Sequence, residues 1–217
     1  MTSPESPESP ESPAGAAGAA GPPYGPRERM VYTAAQLIRR EGVGATGMRE
    51  VAARAKAPRG SLQHYFPGGK EQLVNEAVAW AGEWAGRRVA GFVAAMPEPS
   101  PSGLFDAMVR QWTDEYLERG FAGGCPVAAA VVDCAGTADS TRGAAADAFA
   151  AWTGPVAGAL VGMGVPEPRA GSLATLMVSA LEGAILLARS EQDTRALSAV
   201  ARELAPLLDA AVSAPRL

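Results

Sequence analysis

The sequence predicts an all-α chain, on three observations. Apolar residues recur at helical spacing beyond residue 26, the segments they form are separated by glycine or proline, and no run alternates apolar and polar residues between hairpin turns. Of the 217 residues 47% are hydrophobic but only 6% aromatic, a composition tilted toward alanine and glycine and away from strand formers.

Residues 1–26, with their Ser-Pro-Glu repeats and Ala-Gly run, are too poor in apolar surface to offset ordering entropy, and a disordered tail is expected. Met30, Ala34, Leu37 and Ile38 share one face of a first helix, which Gly42 and Gly44 end. Thr46 reads as the N-cap of a short helix through Met48, Val51, Ala52 and Ala55. Lys56-Ala57 makes the turn, and Pro58 opens a third helix reaching Tyr65, since its missing N–H costs nothing in a first turn. After Pro67-Gly68-Gly69 a long helix is expected from Lys70 to about Ala95, carrying Leu73, Ala77, Trp80, Trp84 and Val89 at helical spacing. Pro97, Pro99 and Pro101 close it. Further helices are expected over 102–119, 126–135, 143–162, 167–190 and 193–213, the last kinked near Pro206.

Counting thins several functions. Cys125 and Cys134 are the only cysteines and His64 the only histidine, so a disulfide scaffold, a metal cluster and a Ser-His-Asp hydrolase needing a second histidine are poorly supplied. No cofactor or metal site is expected. One helix separates the two thiols by about 13 Å at 1.5 Å per residue, so plain packing is expected of both. Met1-Thr2-Ser3-Pro4 lacks the basic and apolar regions of a secretory signal, and a cytoplasmic setting is expected. The longest uncharged run, Ala170 to Leu181, is interrupted at Glu182, which fits a buried helix better than a membrane span.

The net charge of −4 hides an asymmetry. Residues 27–88 hold eleven Arg or Lys against six Glu, whereas 89–217 hold eight against fourteen Asp or Glu. A basic front and an acidic back suggest that only the front meets a polyanion, while the same distribution also fits two solvated sets of helix faces. A helix of about eight residues from Gly47, a short turn and a second small polar helix form a helix-turn-helix arrangement. Groove entry needs a slim helix start bearing donors and acceptors, which Arg59, Gly60, Ser61 and Gln63 supply, while Leu62 and Phe66 face inward.

Residues 27–73, RERMVYTAAQLIRREGVGATGMREVAARAKAPRGSLQHYFPGGKEQL, resemble the DNA-binding region of the TetR family of bacterial transcriptional repressors over its whole length. GGCPVAAAVVD at 123–133 and LEGAILLARSEQDTRALSAVARELAPLL at 181–208 are similar to the LmrA/YxaF-like branch. The resemblance implies a helix-turn-helix domain over 27–73 and a helical ligand-binding and dimerisation bundle over 74–217. It implies that Thr46 caps the second helix and contacts phosphate, that Arg59, Ser61, Gln63 and His64 face the groove, and that Tyr65 and Lys70 anchor phosphates. Arg49 and Lys56 complete the DNA-contacting set. The family usually has Gly at the position of Lys56, Ser or Thr at that of Pro58, and often Tyr at that of Gln63, so no operator sequence transfers from relatives.

The resemblance implies an effector pocket in the bundle, for which Met108, Trp112 and Tyr116 on one helix, Phe149 and Trp152 on another, and Met177 and Glu182 on a third are the candidate contacts. Such stripes equally serve a core, and Glu182 equally serves a structural pair. Leu197, Val200, Ala201, Leu204, Leu208 and Ala211 form a near-heptad seam; with the apolar helix before it, a homodimer through the last two helices is expected. The sequence thus points to a repressor that binds a pseudo-palindromic double-stranded operator as a dimer and is released by a small apolar or aromatic effector, without membrane association. The alternatives are a helical ligand- or protein-binding module that has lost operator binding, and an α-helical enzyme using Glu182 or Asp133 as a base, which leaves the basic block unexplained.

Overall fold

The computed structural model describes residues 25–212 other than 59, 135 and 137. The tail expected over 1–26 therefore lies almost wholly outside the described residues, as does Arg59. Among the described residues the chain is helical: α1 Pro26–Ala45, α2 Met48–Arg54, α3 Ser61–Tyr65, α4 Gly69–Ala94, α5 Pro101–Arg119, α6 Pro126–Cys134, α7 Asp139–Gly162, α8 Glu167–Glu191 and α9 Arg195–Asp209.

Pro26 opens α1 in a first turn that needs no proline N–H, and the Glu28 carboxylate accepts a hydrogen bond from the Gly25 N–H at 3.0 Å. Met30, Ala34, Leu37 and Ile38 are all buried, as their spacing requires. Gly42 does not end the helix. It kinks it, at φ 82° and ψ 171°, and one more turn follows. The kink is held from outside: Asp133 of α6 accepts the freed Val43 N–H at 2.7 Å, and a Cβ on Gly42 would lie 2.7 Å from that same carboxylate oxygen.

Thr46 corrects the expected capping. It closes α1 rather than opening α2: its hydroxyl donates to the Gly42 carbonyl at 2.8 Å, it is buried, and Gly47 occupies the cap position of α2. The third helix begins at Ser61 rather than Pro58, because the Ser61 N–H bonds the Pro58 carbonyl at 3.0 Å in a turn of i to i+3 type. The seventh begins earlier than expected, at Asp139 rather than residue 143, and α9 continues through Pro206.

Two cores share α4. Its first half, with Leu73, Val74, Ala77 and Val78, packs with α1, α2, α6 and the start of α7 beneath the helix-turn-helix. Farther along, Val89, Phe92 and Val93 join the bundle of α5, α7, α8 and α9. The α4–α7 pairing is the most extensive in the molecule and is close, because Gly82 and Gly86 of α4 lie directly against the α7 backbone at Ala148 and Ala151. On α9, Leu197, Leu208 and Ala211 are buried and Val200, Ala201 and Leu204 pack on the same core, so the seam serves its own subunit. Apolar surface is left over in several places: Leu176, Leu186 and Leu187 of α8, Leu207 of α9 and Val212 are exposed, as are Leu117 of α5, Val131 and Val132 of α6 and Val161 of α7. Helices α7 and α8 have the length and hydropathy of membrane spans, but both pack sideways into the bundle.

Candidate nucleic-acid interface and ligand cavity

The helix-turn-helix presents its polar residues because its apolar ones are used. Val51, Ala52, Ala55 and Phe66 are buried in the headpiece core, with Leu62 packed against it, leaving Gln63 and His64 exposed side by side on α3. Ser61 is half-buried, and its hydroxyl donates to the Pro58 carbonyl at 2.6 Å, fixing the start of α3. Gly60 is exposed. Tyr65 is half-buried, its ring edge-on to His64 at 5.1 Å.

Helix α2 ends in a Schellman motif: the Lys56 N–H reaches the Ala53 carbonyl at 3.2 Å and the Ala57 N–H reaches Ala52 at 2.9 Å. That closure requires a left-handed residue. Lys56 supplies it at φ 51°, a conformation costing a non-glycine residue about 1–2 kcal/mol. The sequence places a cation where glycine fits best.

Cations in the headpiece divide into two sets. Arg27 pairs with Glu76 at 2.7 Å, and Arg54 pairs with Glu50 at 2.6 Å. Lys70 donates to the Gly44 carbonyl at 3.0 Å, tying the start of α4 to the end of α1. Arg49 and Lys56 are exposed and make no ion pair or hydrogen bond through their side chains among the described residues. Exposed donors and uncompensated cations beside a short polar helix are what a phosphate backbone and a groove require.

A separate cavity of about 350 Å³ opens between α1 and the helices α4 to α7. Its aromatic walls are Tyr32, Trp80, Trp84, Trp112 and Trp152. Trp80 and Trp84, one turn apart on α4, stack at 6.3 Å, and Tyr32 meets Trp80 edge-on at 5.3 Å. Arg39 of α1 is fixed three ways: it pairs with Glu115 of α5 at 2.8 Å, donates to the Gly124 carbonyl at 2.9 Å, and lies 5.2 Å from the Trp112 ring centre. Gly124 returns a bond, its N–H reaching the Arg39 carbonyl at 2.8 Å.

Of the expected effector contacts, Trp112 and Trp152 line this cavity. Met108, Tyr116 and Met177 are sealed in the bundle core, Phe149 is half-buried between the two cores, and Glu182 sits behind Cys125, so these five do not form its walls. Tyr32, Arg39, Trp80, Trp84 and Glu115 take their place. Trp80 and Trp84 carried a sequence signal, two large aromatics one turn apart, which helical spacing alone assigns to a core.

Glu182 is a buried carboxylate whose oxygens lack a well-formed hydrogen bond, and the nearby Tyr116 hydroxyl is likewise unpartnered. Burial pushes Glu182 up to about 7, partly opposed by the neighbouring Cys125 thiol. Burial also pushes Tyr116 up to about 12, and burial followed by the Glu182 charge raises the Cys125 thiol, which suits packing rather than reactivity. An acid harder to ionise in the folded state lowers stability as pH rises. The loss should begin near the unfolded value of 4.5, be complete above about pH 7, and amount to about 3 kcal/mol. Melting temperatures at pH 5.5 and pH 8 should show the larger part of this loss, about 2 kcal/mol, and Glu182→Gln should reduce it; an equal pH response in the variant would remove Glu182 as its source.

The family model "Bacterial regulatory proteins, tetR family" matches residues 31–77, and "Transcriptional regulator LmrA/YxaF-like, C-terminal domain" matches 101–203. An uncharacterised HTH-type transcriptional regulator of Mycobacterium tuberculosis is 44% identical over 191 residues, covering 85% of this chain and 94% of that protein. The HTH-type regulator YxaF of Bacillus subtilis is 29% identical, covering 84% and 94%, and LmrA of the same organism 28% identical, covering 79% and 90%. Among solved structures, regulatory protein TetR from Rhodobacter sphaeroides superposes with a TM-score of 0.71 at 20% identity, covering 82% of this chain and 96% of that one. A TetR transcriptional regulator from Legionella pneumophila gives 0.70 at 22%, covering 85% and 98%.

Proposed function

The chain belongs to the TetR family of bacterial transcriptional regulators, and from that premise we propose that it is a cytoplasmic, homodimeric repressor released from its operator by a small apolar or aromatic effector. It is a regulator and not an enzyme. The observation that carries the reading is the pairing of exposed Gln63 and His64 with the uncompensated cations Arg49 and Lys56, outside a headpiece core that is complete without them. Residues 27–73 act as the DNA-binding unit and 74–217 as the effector and dimerisation unit. Arg59, Gly60, Ser61, Tyr65 and Lys70 complete the contact surface, Lys70 through its hold on the end of α1. Thr46 is reassigned to positioning, since its hydroxyl is spent within the headpiece.

Dimerisation uses the outer faces of α8 and α9. Leu176, Leu186 and Leu187 are accompanied on α8 by exposed Ser172, Ser179 and Gly183, small residues that allow a second copy to approach closely. Leu186→Glu should weaken self-association at least about tenfold, because burying a carboxylate in an apolar contact without a partner costs more than 1.4 kcal/mol. Sedimentation equilibrium checks this, and an unchanged dimer would place the interface elsewhere. Two readers on one dimer then meet half-sites about one helical turn apart, roughly 34–36 Å.

A reporter driven by the DNA flanking the chain's own gene tests repression. Expression should fall when the chain is supplied and recover when α3 is altered at Gln63 and His64. Equal expression with and without the chain would contradict repression at that locus.

A further inference from the structure

All four tryptophans of the chain line this cavity, on three different helices. Trp112 and Trp152 are also buried in the bundle core, but together with Trp80, Trp84 and Tyr32 they border open space, and Trp84 is 37% exposed. Indole faces make an aromatic guest the natural occupant, and the charges decide what else that guest carries. Two guanidinium groups, Arg39 and Arg119, line the cavity against one carboxylate, Glu115, which is already paired with Arg39. The ring faces that would attract a cation are already visited by cations: Arg39 lies 5.2 Å from Trp112, and Arg88 lies 5.5 Å from Trp84. Arg119, in the last turn of α5, is exposed and makes no ion pair or hydrogen bond through its side chain among the described residues. Its guanidinium offers a planar set of N–H donors matched to a carboxylate.

We propose that this cavity binds a planar aromatic acid, its ring against the tryptophans, its anionic group paired with Arg119, and α1 of the DNA-binding headpiece serving as one wall. The cavity requires that last feature of any occupant, since Tyr32, Gln36 and Arg39 all come from α1. The guest thus sits where the headpiece joins the bundle, beside the Arg39–Gly124 clasp and three residues before the Gly42 kink. This deepens the effector reading and rests on it for the link to DNA, though not for binding itself.

Calorimetric titration of the full chain with 2-naphthoate, 2-naphthylmethanol and 2-naphthylmethylamine tests the class. The acid should bind at least about tenfold more tightly than the alcohol, about 1.4 kcal/mol, with the amine weakest. Arg119→Gln, an exposed position whose replacement leaves the core intact, should abolish the acid's advantage and leave the alcohol unchanged. Tyr32→Leu should weaken all three if α1 is a wall. Amine binding equal to that of the acid, an acid affinity unmoved by Arg119→Gln, Tyr32→Leu without effect, or no binding of any probe would each overturn the proposal. Operator affinity measured separately with saturating 2-naphthoate divides the two readings. Binding of the acid without release of DNA would refute the effector reading while supporting the ligand class, and selective DNA binding by a chain that takes no probe would refute the ligand class alone.

Discussion

Gly82→Ala should lower the stability of the protein by about 3 kcal/mol, although alanine is the better helix former by about 1 kcal/mol. The added Cβ would lie 2.3 Å from the Ala148 carbonyl oxygen and 2.6 Å from its Cα, both backbone atoms of α7 that no rotamer change can clear. Gly86, one turn on, meets the Ala151 carbonyl at the same 2.3 Å, so the two helices are locked together over two consecutive turns. Relief would require separating α4 from α7, and both cores draw on these two helices. Gly91 is the control: it lies in α4 with open space where its Cβ would go, and Gly91→Ala should leave stability unchanged or raise it by up to about 1 kcal/mol. Chemical denaturation of the three proteins checks the contrast. Equal effects at positions 82 and 91 would mean that the close approach does not constrain the fold.

The double variant Gln63→Ala, His64→Ala should lose about 10- to 100-fold of its preference for operator over unrelated DNA, while its folding stability and its weak general DNA binding stay nearly unchanged. Each good base contact is worth about 1–3 kcal/mol of discrimination, whereas general affinity rests on cations that the variant keeps. Both side chains are exposed, and neither makes a hydrogen bond through its side chain among the described residues; His64 touches only the edge of Tyr65. Competition binding with operator and scrambled duplexes separates the two effects. Parallel loss on both duplexes would make these residues phosphate contacts rather than base readers.

The helices were legible because burial repeats with the helical period: Met30, Ala34, Leu37 and Ile38 needed no more than their spacing. Thr46 was misplaced because a threonine between two helices satisfies either neighbour by local rules, and the choice was made by the Gly42 kink, which Asp133 holds from 90 residues away. The headpiece surface could be read from polar residues left between apolar ones, as at Gln63 and His64. The cavity could not be read, since its walls come from five helices and the same spacing that puts Trp80 and Trp84 on one face suits a packed core equally well. The α9 seam shows the same limit. Its apolar face was recognisable, but whether it met its own bundle or a second copy depended on where α5 and α8 lie.

The most direct test is the affinity of the purified protein for the DNA flanking its own gene, measured at about 50 and 200 mM salt against a scrambled duplex. A dimer whose basic headpieces make six to ten phosphate contacts should bind its operator selectively and lose roughly 10³–10⁵ in affinity between the two salt concentrations. Binding that is indifferent to sequence at both, or insensitive to salt, would contradict the account.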